Sequence, residues 1–470
     1  MPHYRTTSMK NAQLTSHASL HRSLDSVHGS VSVPHDKAGF WRQWWAFSGP
    51  AVLVSVGYMD PGNWGTDLQA GAAYKYGLLW IVALASLMAI FMQVIAARLG
   101  VVTGRDLAQC CREGLPAWTR WPNWLFCETA IGACDLAEVL GSAVALHLLF
   151  HIPVFWAVII TGFDVLLLLW LQRFGMRTIE AIVLLLVVTI GLCYAIEIFV
   201  LPQTRPSFPE MGWAILTPGF REKGMLFVAI SIIGATVMPH NLYLHSALVQ
   251  TRKLKKDDKS IAQAIRFNTI DSVVALVIAF FVNAAILVLA AMVFYGKTSV
   301  NTLDGVIPLS KDSDWINIAY LTLSPLLGTA VASTLFAVAL LASGQSSTIT
   351  GTLAGQVVME GFVNWRIAPW VRRLITRTLA IIPAVVIIGL YGDRSVNDLL
   401  TLSQAVLALQ LPFAMFPLLY FASSAKFMGT WRCGRFLMIA GWSSAILITV
   451  LDIASLPETL SSAWKIVTGG

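Results

Sequence analysis

The chain has 470 residues, 56% of them hydrophobic and 12% charged, with a net charge of +7 and a mean hydropathy of +0.70. Soluble globular proteins are about one-quarter charged, so this composition excludes a soluble enzyme and describes a polytopic membrane protein. No run alternates polar and apolar residues over ten-residue segments, which excludes a transmembrane β-barrel.

Residues 1–44 are polar, rich in Ser and His, and free of apolar periodicity; they read as an uncleaved, disordered cytoplasmic tail. His3, His17, His21, His28 and His35 lie in it at no spacing that fixes a metal geometry, and are read as solvated. Trp41, Trp44 and Trp45 read as an interfacial aromatic anchor. About eleven apolar spans follow. Their limits are 46–73, 78–99, 123–150, 153–171, 178–201, 224–250, 268–295, 320–345 with a small-residue extension to 362, 374–391, 396–423 and 436–455. The chain is thus expected to be an all-α integral membrane protein with one membrane domain over 45–455 and a short external tail over 456–470.

Charge orients these spans. With the amino terminus inside, the outer segments hold Lys75, Arg205, Arg221, Lys223, Lys297, Lys311, Arg394 and Lys465, and the other 24 of the 32 Lys and Arg lie inside. An odd span count then places the carboxyl terminus outside. The basic residues are spread over alternate loops, which removes nucleic acid as a partner; membrane lipid is expected, and no obligate protein partner is implied. Compact loops suggest a bacterial inner membrane. The cysteines Cys110, Cys111, Cys127, Cys134, Cys193 and Cys433 form no C-x-x-C motif and no disulfide framework. Cys127 and Cys134 sit in an apolar helix and are read as packing.

Two spans are interrupted. The first contains "GYMDPGNWG" (57–65), the sixth "GATVMPHNLYLHS" (234–246). A buried Asp costs about 2.5–3.5 kcal/mol on insertion scales, so Asp60 needs a reason to be there. Interruptions in spans one and six are what two inverted five-helix repeats give, here about 46–201 and 224–423 with an extra helix at 436–455, and transporters bind substrate where such breaks meet. Proline removes the partner of the carbonyl four residues earlier. Pro61 would free the carbonyl of Gly57 and Pro239 that of Ala235. With the Asp60 carboxylate, the Asn63 amide oxygen and the Met238 thioether, these form a ligand set for a divalent ion. The thioether disfavours Mg²⁺ and Ca²⁺ and suits softer transition metals. His240 and His245 are five apart and face different ways, so they are not a zinc pair; a structural or proton-handling role is assigned to His240.

"DPGN" with "MPHNLYLHS", together with "GQSSTITGTLAGQVVMEGF" (344–362), resembles the Nramp family of divalent metal transporters over about residues 45–455. The resemblance implies a LeuT-like fold and proton-coupled uptake of Mn²⁺ and Fe²⁺, with Co²⁺, Cd²⁺ or Zn²⁺ also accepted and no cofactor. It carries the metal ligands onto Asp60, Asn63, Met238 and the Gly57 and Ala235 carbonyls, and adds Gln404, with Gln410 a weaker match. Magnesium-transporting relatives lack the methionine, which places this chain with the transition-metal branch. Asp135 and Glu138, i and i+3 on one helix face, are implied to form a proton path with Asp60, His240, Arg372 and Arg373; the alternative is a static set of salt bridges. Gln93 matches an outer-gate position. Gly351 and Gly355 have small-xxx-small spacing and are read as helix packing, not phosphate binding. The competing functions are a sodium-coupled transporter of amino acids or other organic solutes, whose site would lack an Asp–Met pair, and a non-transporting metal sensor, which would need a large soluble output domain.

Overall fold

Proline and glycine decide where the first helices start and stop. In the computed structural model, which describes residues 23–24, 27–33, 39–164, 178–182, 184–185, 188, 192, 206–255, 257–302, 305–309, 315–327, 330–392 and 395–468, a short strand β1 (Val31–Ser32) precedes helix α1 (Phe40–Phe47). Gly49, at φ 131°, turns the chain into α2 (Pro50–Gly57), which has Pro50 at its first position. The helix stops at Tyr58–Asp60 and restarts as α3 (Pro61–Tyr74), with Asp60 as its N-cap and Pro61 first in line. The expected first break is therefore a complete restart of the helix.

Helix α4 (Leu79–Thr103) ends on the left-handed Gly104, and α5 (Leu107–Gly114) opens with a capping box between Asp106 and Gln109. Then come α6 (Arg120–Phe150), α7 (Val154–Thr161) and α8 (Phe208–Leu216). The second broken span is α9 (Met225–Val237) and α10 (Pro239–Leu248), joined through Met238. Strand β2 (Arg252–Lys253) follows, then α11 (Asp258–Phe294) and a hairpin of β3 (Ser299–Thr302) with β4 (Gly305–Pro308). The chain ends with α12 (Trp315–Leu327), α13 (Ala330–Val363), α14 (Pro369–Tyr391), α15 (Ser395–Ser423) and α16 (Arg435–Thr468).

The broken spans lie inside the bundle. α3 packs on α11, α9 on α15, and α6 on α13. Gly234 lets α9 approach the Gln404 carbonyl of α15, and Gly141 of α6 lies against Pro61; a β-carbon at either would overlap its neighbour. Seven stretches of described helix are long and apolar enough to cross a membrane. α14 and α16 turn Leu379, Ile382, Leu390, Phe436, Ile439 and Ile453 outward, an apolar surface that lipid would cover.

Three boundaries differ from the sequence reading. The expected tail over 1–44 contains ordered structure: β1 pairs in parallel with β2, and α1 begins at Phe40. These few residues gain a backbone ladder from a partner more than two hundred positions away, which local composition does not register. Trp41 and Trp45 are 72% and 66% exposed, as an interfacial anchor requires. The span placed at 320–345 is two helices, α12 and α13, and the second carries the whole small-residue stretch to 363. The final helix continues past 455, through Pro457 to Thr468, so residues 456–468 are helical. Residues 165–171 of the expected span at 153–171 and most of the one at 178–201 lie outside the described residues, as do His3, His17, His21, His35 and Cys193. The described cysteines are free; Cys110, Cys111, Cys127 and Cys134 are buried.

Candidate metal site between the two broken helices

Asp60 sits in the turn between α2 and α3, where its carboxylate accepts from the Asn63 backbone N–H at 2.9 Å. Its other oxygen has no protein partner. The Asn63 amide nitrogen reaches the carbonyl of Gly57 at 3.5 Å and that of Ala235 at 3.4 Å, while its own oxygen is unpartnered. The two carbonyls expected from the proline positions thus converge on one side chain. The Gly57 carbonyl also accepts the Asp60 N–H at 3.3 Å, so Pro61 reorients it without wholly freeing it. The Met238 sulfur stands 3.0 Å from where a β-carbon on Gly57 would lie and accepts from the Asn241 amide at 3.3 Å.

Met238 is held at φ 36°, ψ 101° between α9 and α10. A residue with a β-carbon at positive φ is strained, and such strain concentrates at functional turns. The Gln404 amide fills the space beside Gly62, with its oxygen unpartnered, so it adjoins the Asp60–Asn63 turn. Gln410 is buried farther along α15, beside the Tyr243 hydroxyl. All of these groups are buried. Among the described residues no cluster of three or more His, Cys, Asp or Glu could hold a metal; the set found here uses one carboxylate with amide, thioether and carbonyl donors.

The ionic residues form a second assembly, between α6 and α14. Arg373 pairs with Asp135 and lies 3.2 Å from Glu138. The expected grouping is otherwise divided. Arg372 turns to Glu128 at 2.6 Å, and its place beside Arg373 is taken by Arg377, which pairs with Asp164. Glu138 also accepts from Thr348 of α13 at 3.0 Å. Gly351 and Gly355 give room to Glu138 and to the Arg372 guanidinium, so the small-residue face of α13 accommodates charge as well as a neighbouring helix. His240 is buried near this assembly, and its Nδ1 has no protein partner. Sequence reasoning missed Glu128, Asp164 and Arg377. The Arg373–Arg377 spacing of one helical turn was the available signal.

Gln93 belongs to a third group. It donates to the Tyr58 hydroxyl at 2.6 Å and meets His245 Nδ1 at 2.9 Å, and Tyr58 donates to the Val237 carbonyl at 3.4 Å. This chain of bonds links α4 to both breaks. Tyr58 and His245 were not singled out as partners of Gln93.

Residues 51–458 match the family described as natural resistance-associated macrophage protein-like, Nramp. A divalent metal cation transporter MntH of Nostoc sp. is 49% identical over 445 residues, covering 93% of this chain and 96% of that protein. One of the same name from Mesorhizobium japonicum is 48% identical, covering 93% and 94%. A variant of the manganese transporter of Eremococcus coleocola superposes with a TM-score of 0.85 at 39% identity, covering 94% of this chain and 92% of that one. Mhp1, a nucleobase-cation-symport-1 family transporter, superposes at 0.55 with 13% identity, covering 90% and 93%; that likeness is one of fold alone.

Proposed function

This chain belongs to the Nramp family, and from that premise we propose that it imports divalent transition metals, chiefly Mn²⁺ and Fe²⁺, with protons, by alternating access. It is a transporter and not an enzyme, an integral membrane protein of LeuT-like fold. The observation that carries the site assignment is the convergence of the Gly57 and Ala235 carbonyls on Asn63, beside the Met238 sulfur and the open side of Asp60.

In this reading the ion sheds water onto Asp60, Asn63, Met238 and the two carbonyls, with Gln404 joining from α15. One carboxylate among neutral donors holds a dication firmly enough to select it and loosely enough to release it. The protein lies in a bacterial inner membrane with its amino terminus in the cytosol and its carboxyl terminus outside, and residues 45–455 act as one transporter unit of two inverted repeats and an extra helix. α2 and α10 are then the inner halves of the broken spans, and α2 swings to open the inner side. A dication moving inward gains about 4.6 kcal/mol per 100 mV, enough to drive import by itself. Asp60, Asp135, Glu138 and His240, with Arg372 and Arg373, carry the coupled proton inward, and Gln93 gates the outer side through Tyr58 and His245. The protein needs no resident cofactor.

The test is uptake of Mn²⁺ into proteoliposomes under an imposed inward proton gradient, beside labelled amino acids with Na⁺. Uptake of Mn²⁺ with acidification of the lumen is expected. Amino-acid uptake without Mn²⁺ uptake would reverse the assignment.

A further inference from the structure

The amino-terminal segment before α1 is bound to the body of the protein at three places. The Leu24 N–H donates to Glu360 of α13 at 2.9 Å, and Ser23 lies beside Asp106, the cap of α5. The Gly29 N–H donates to the Gln250 carbonyl at 3.1 Å. Val31 and Ser32 pair in parallel with Arg252 and Lys253. Leu24 and Val31 are buried, at 4% and 7% exposure. A solvated tail makes no such contacts; burial of two apolar side chains and a run of backbone bonds describe a docked segment.

The place where it docks bears on α2. Arg252, whose backbone pairs with Val31, sends its guanidinium under the amino end of that helix. It donates to the Ser48 carbonyl at 2.5 Å, the Ala46 carbonyl at 3.3 Å and Glu180 at 2.8 Å. Asp271 of α11 accepts from the N–H groups of Gly49 and Ala51, at 3.3 and 3.1 Å. The start of α2 is therefore clasped from two sides, and one side of the clasp is a two-residue strand whose edge is covered by β1.

We propose that residues 23–24 and 27–33 act as a strap that holds Arg252 in position under α2 and so keeps the inner side of the transport path closed. The proposal rests on the reading that α2 swings during transport. Arg252 is a positioning residue in it: it touches no metal ligand and acts through the backbone at 46–48. When the strap leaves, β2 loses its partner, Arg252 gains freedom, and the clasp on the amino end of α2 weakens on that side while the Asp271 bonds remain. Because the strap also touches α5 and α13, its release loosens three elements at the same end of the bundle.

The test compares the full chain, a deletion of residues 1–33, Leu24→Ser and Arg252→Lys, each also carrying Ser55→Cys as a reporter on α2. Labelling by a membrane-impermeant maleimide from the cytosolic side is measured in inside-out vesicles, and the same proteins without the reporter give the background. The deletion and Leu24→Ser are each expected to raise reporter labelling about tenfold, the effect of losing one or two net hydrogen bonds. Arg252→Lys, which retains charge but loses the forked contacts, is expected to raise it likewise. Equal labelling of the full chain, the deletion and Leu24→Ser would overturn the strap. If the deletion does not fold, Leu24→Ser decides alone. Mn²⁺ uptake by the full chain is measured in parallel and reports on the transport assignment, so its loss with unchanged labelling ratios is a different failure.

Discussion

The side-chain amide of Asn63, on α3, donates to the backbone carbonyl of Ala235, on α9, across 3.4 Å. One neutral side chain thus links the two broken helices, and the same nitrogen reaches Gly57. In the proposed site an arriving ion would turn this amide so that its oxygen, in place of its N–H, points at the ion alongside the two carbonyls. Asn63→Ala is expected to lower Mn²⁺ affinity at least tenfold, on the order of 1.4 kcal/mol, while leaving the fold intact. Asn63→Asp adds a second carboxylate; it should bind more tightly and turn over more slowly. Calorimetric titration and uptake rates measured on both variants check the pair of outcomes.

In the proposed ligand set Met238 is the one soft donor. With Met238→Ala the remaining donors are oxygens, so Ca²⁺ and Mg²⁺ are expected to compete for Mn²⁺ uptake where they do not in the unaltered chain. Competition curves in proteoliposomes read this directly. A variant that still ignores Ca²⁺ would show that selectivity resides elsewhere.

Arg377 and Asp164 form a buried ion pair beside the Arg373–Asp135 pair. Arg377→Met leaves the Asp164 carboxylate without its main partner, which for a buried pair costs about 3–5 kcal/mol. Arg372 faces the more accessible Glu128, so Arg372→Met should cost less. Arg377→Met with Asp164→Leu should recover much of the loss. Thermal unfolding in detergent ranks the three: the single Arg377 variant lowest, the double variant between it and the parent.

Burial pushes the Asp106 carboxyl up to about 6, against the opposing bonds from Gln109 and the nearby Arg112. An acid with a raised folded-state value binds protons more readily when folded, so its contribution to stability is present below about pH 4 and is lost as pH rises through about 6. Asp106→Asn keeps a good N-cap and removes the titration. The variant should gain on the parent, by about 1–3 kcal/mol, as pH goes from 4 to 7. Melting curves of both across that range check the sign; a variant that loses ground to the parent as pH rises would contradict it.

Much of the fold was legible because membranes leave a chain few options. Long apolar runs must be helices, and a charge with proline and glycine inside one must be a break, so Asp60, Pro61 and Pro239 marked their turns from sequence. The donors proposed around them were named from the same residues, and the structure brings Asn63, the Gly57 and Ala235 carbonyls and the Met238 sulfur close together. The ionic assembly was only half legible: Asp135 and Glu138 share a helix face by spacing, but which arginine meets them depends on the rotation of α14 against α6, and sequence does not record that angle. It placed Arg372 with Arg373, where the structure uses Arg377. The strap was invisible for another reason. A two-residue strand has no periodicity, and β1 depends on a partner, β2, that itself reads as part of a basic loop.

Met238 lies in the left-handed region, at a cost of about 1–3 kcal/mol that its surroundings sustain. The bend between α9 and α10 is therefore built in advance and does not have to be melted by the cargo. Little conformational work remains for the moment of capture, so loading should be fast and only weakly dependent on temperature, leaving the swing of α2 as the slow part of the cycle.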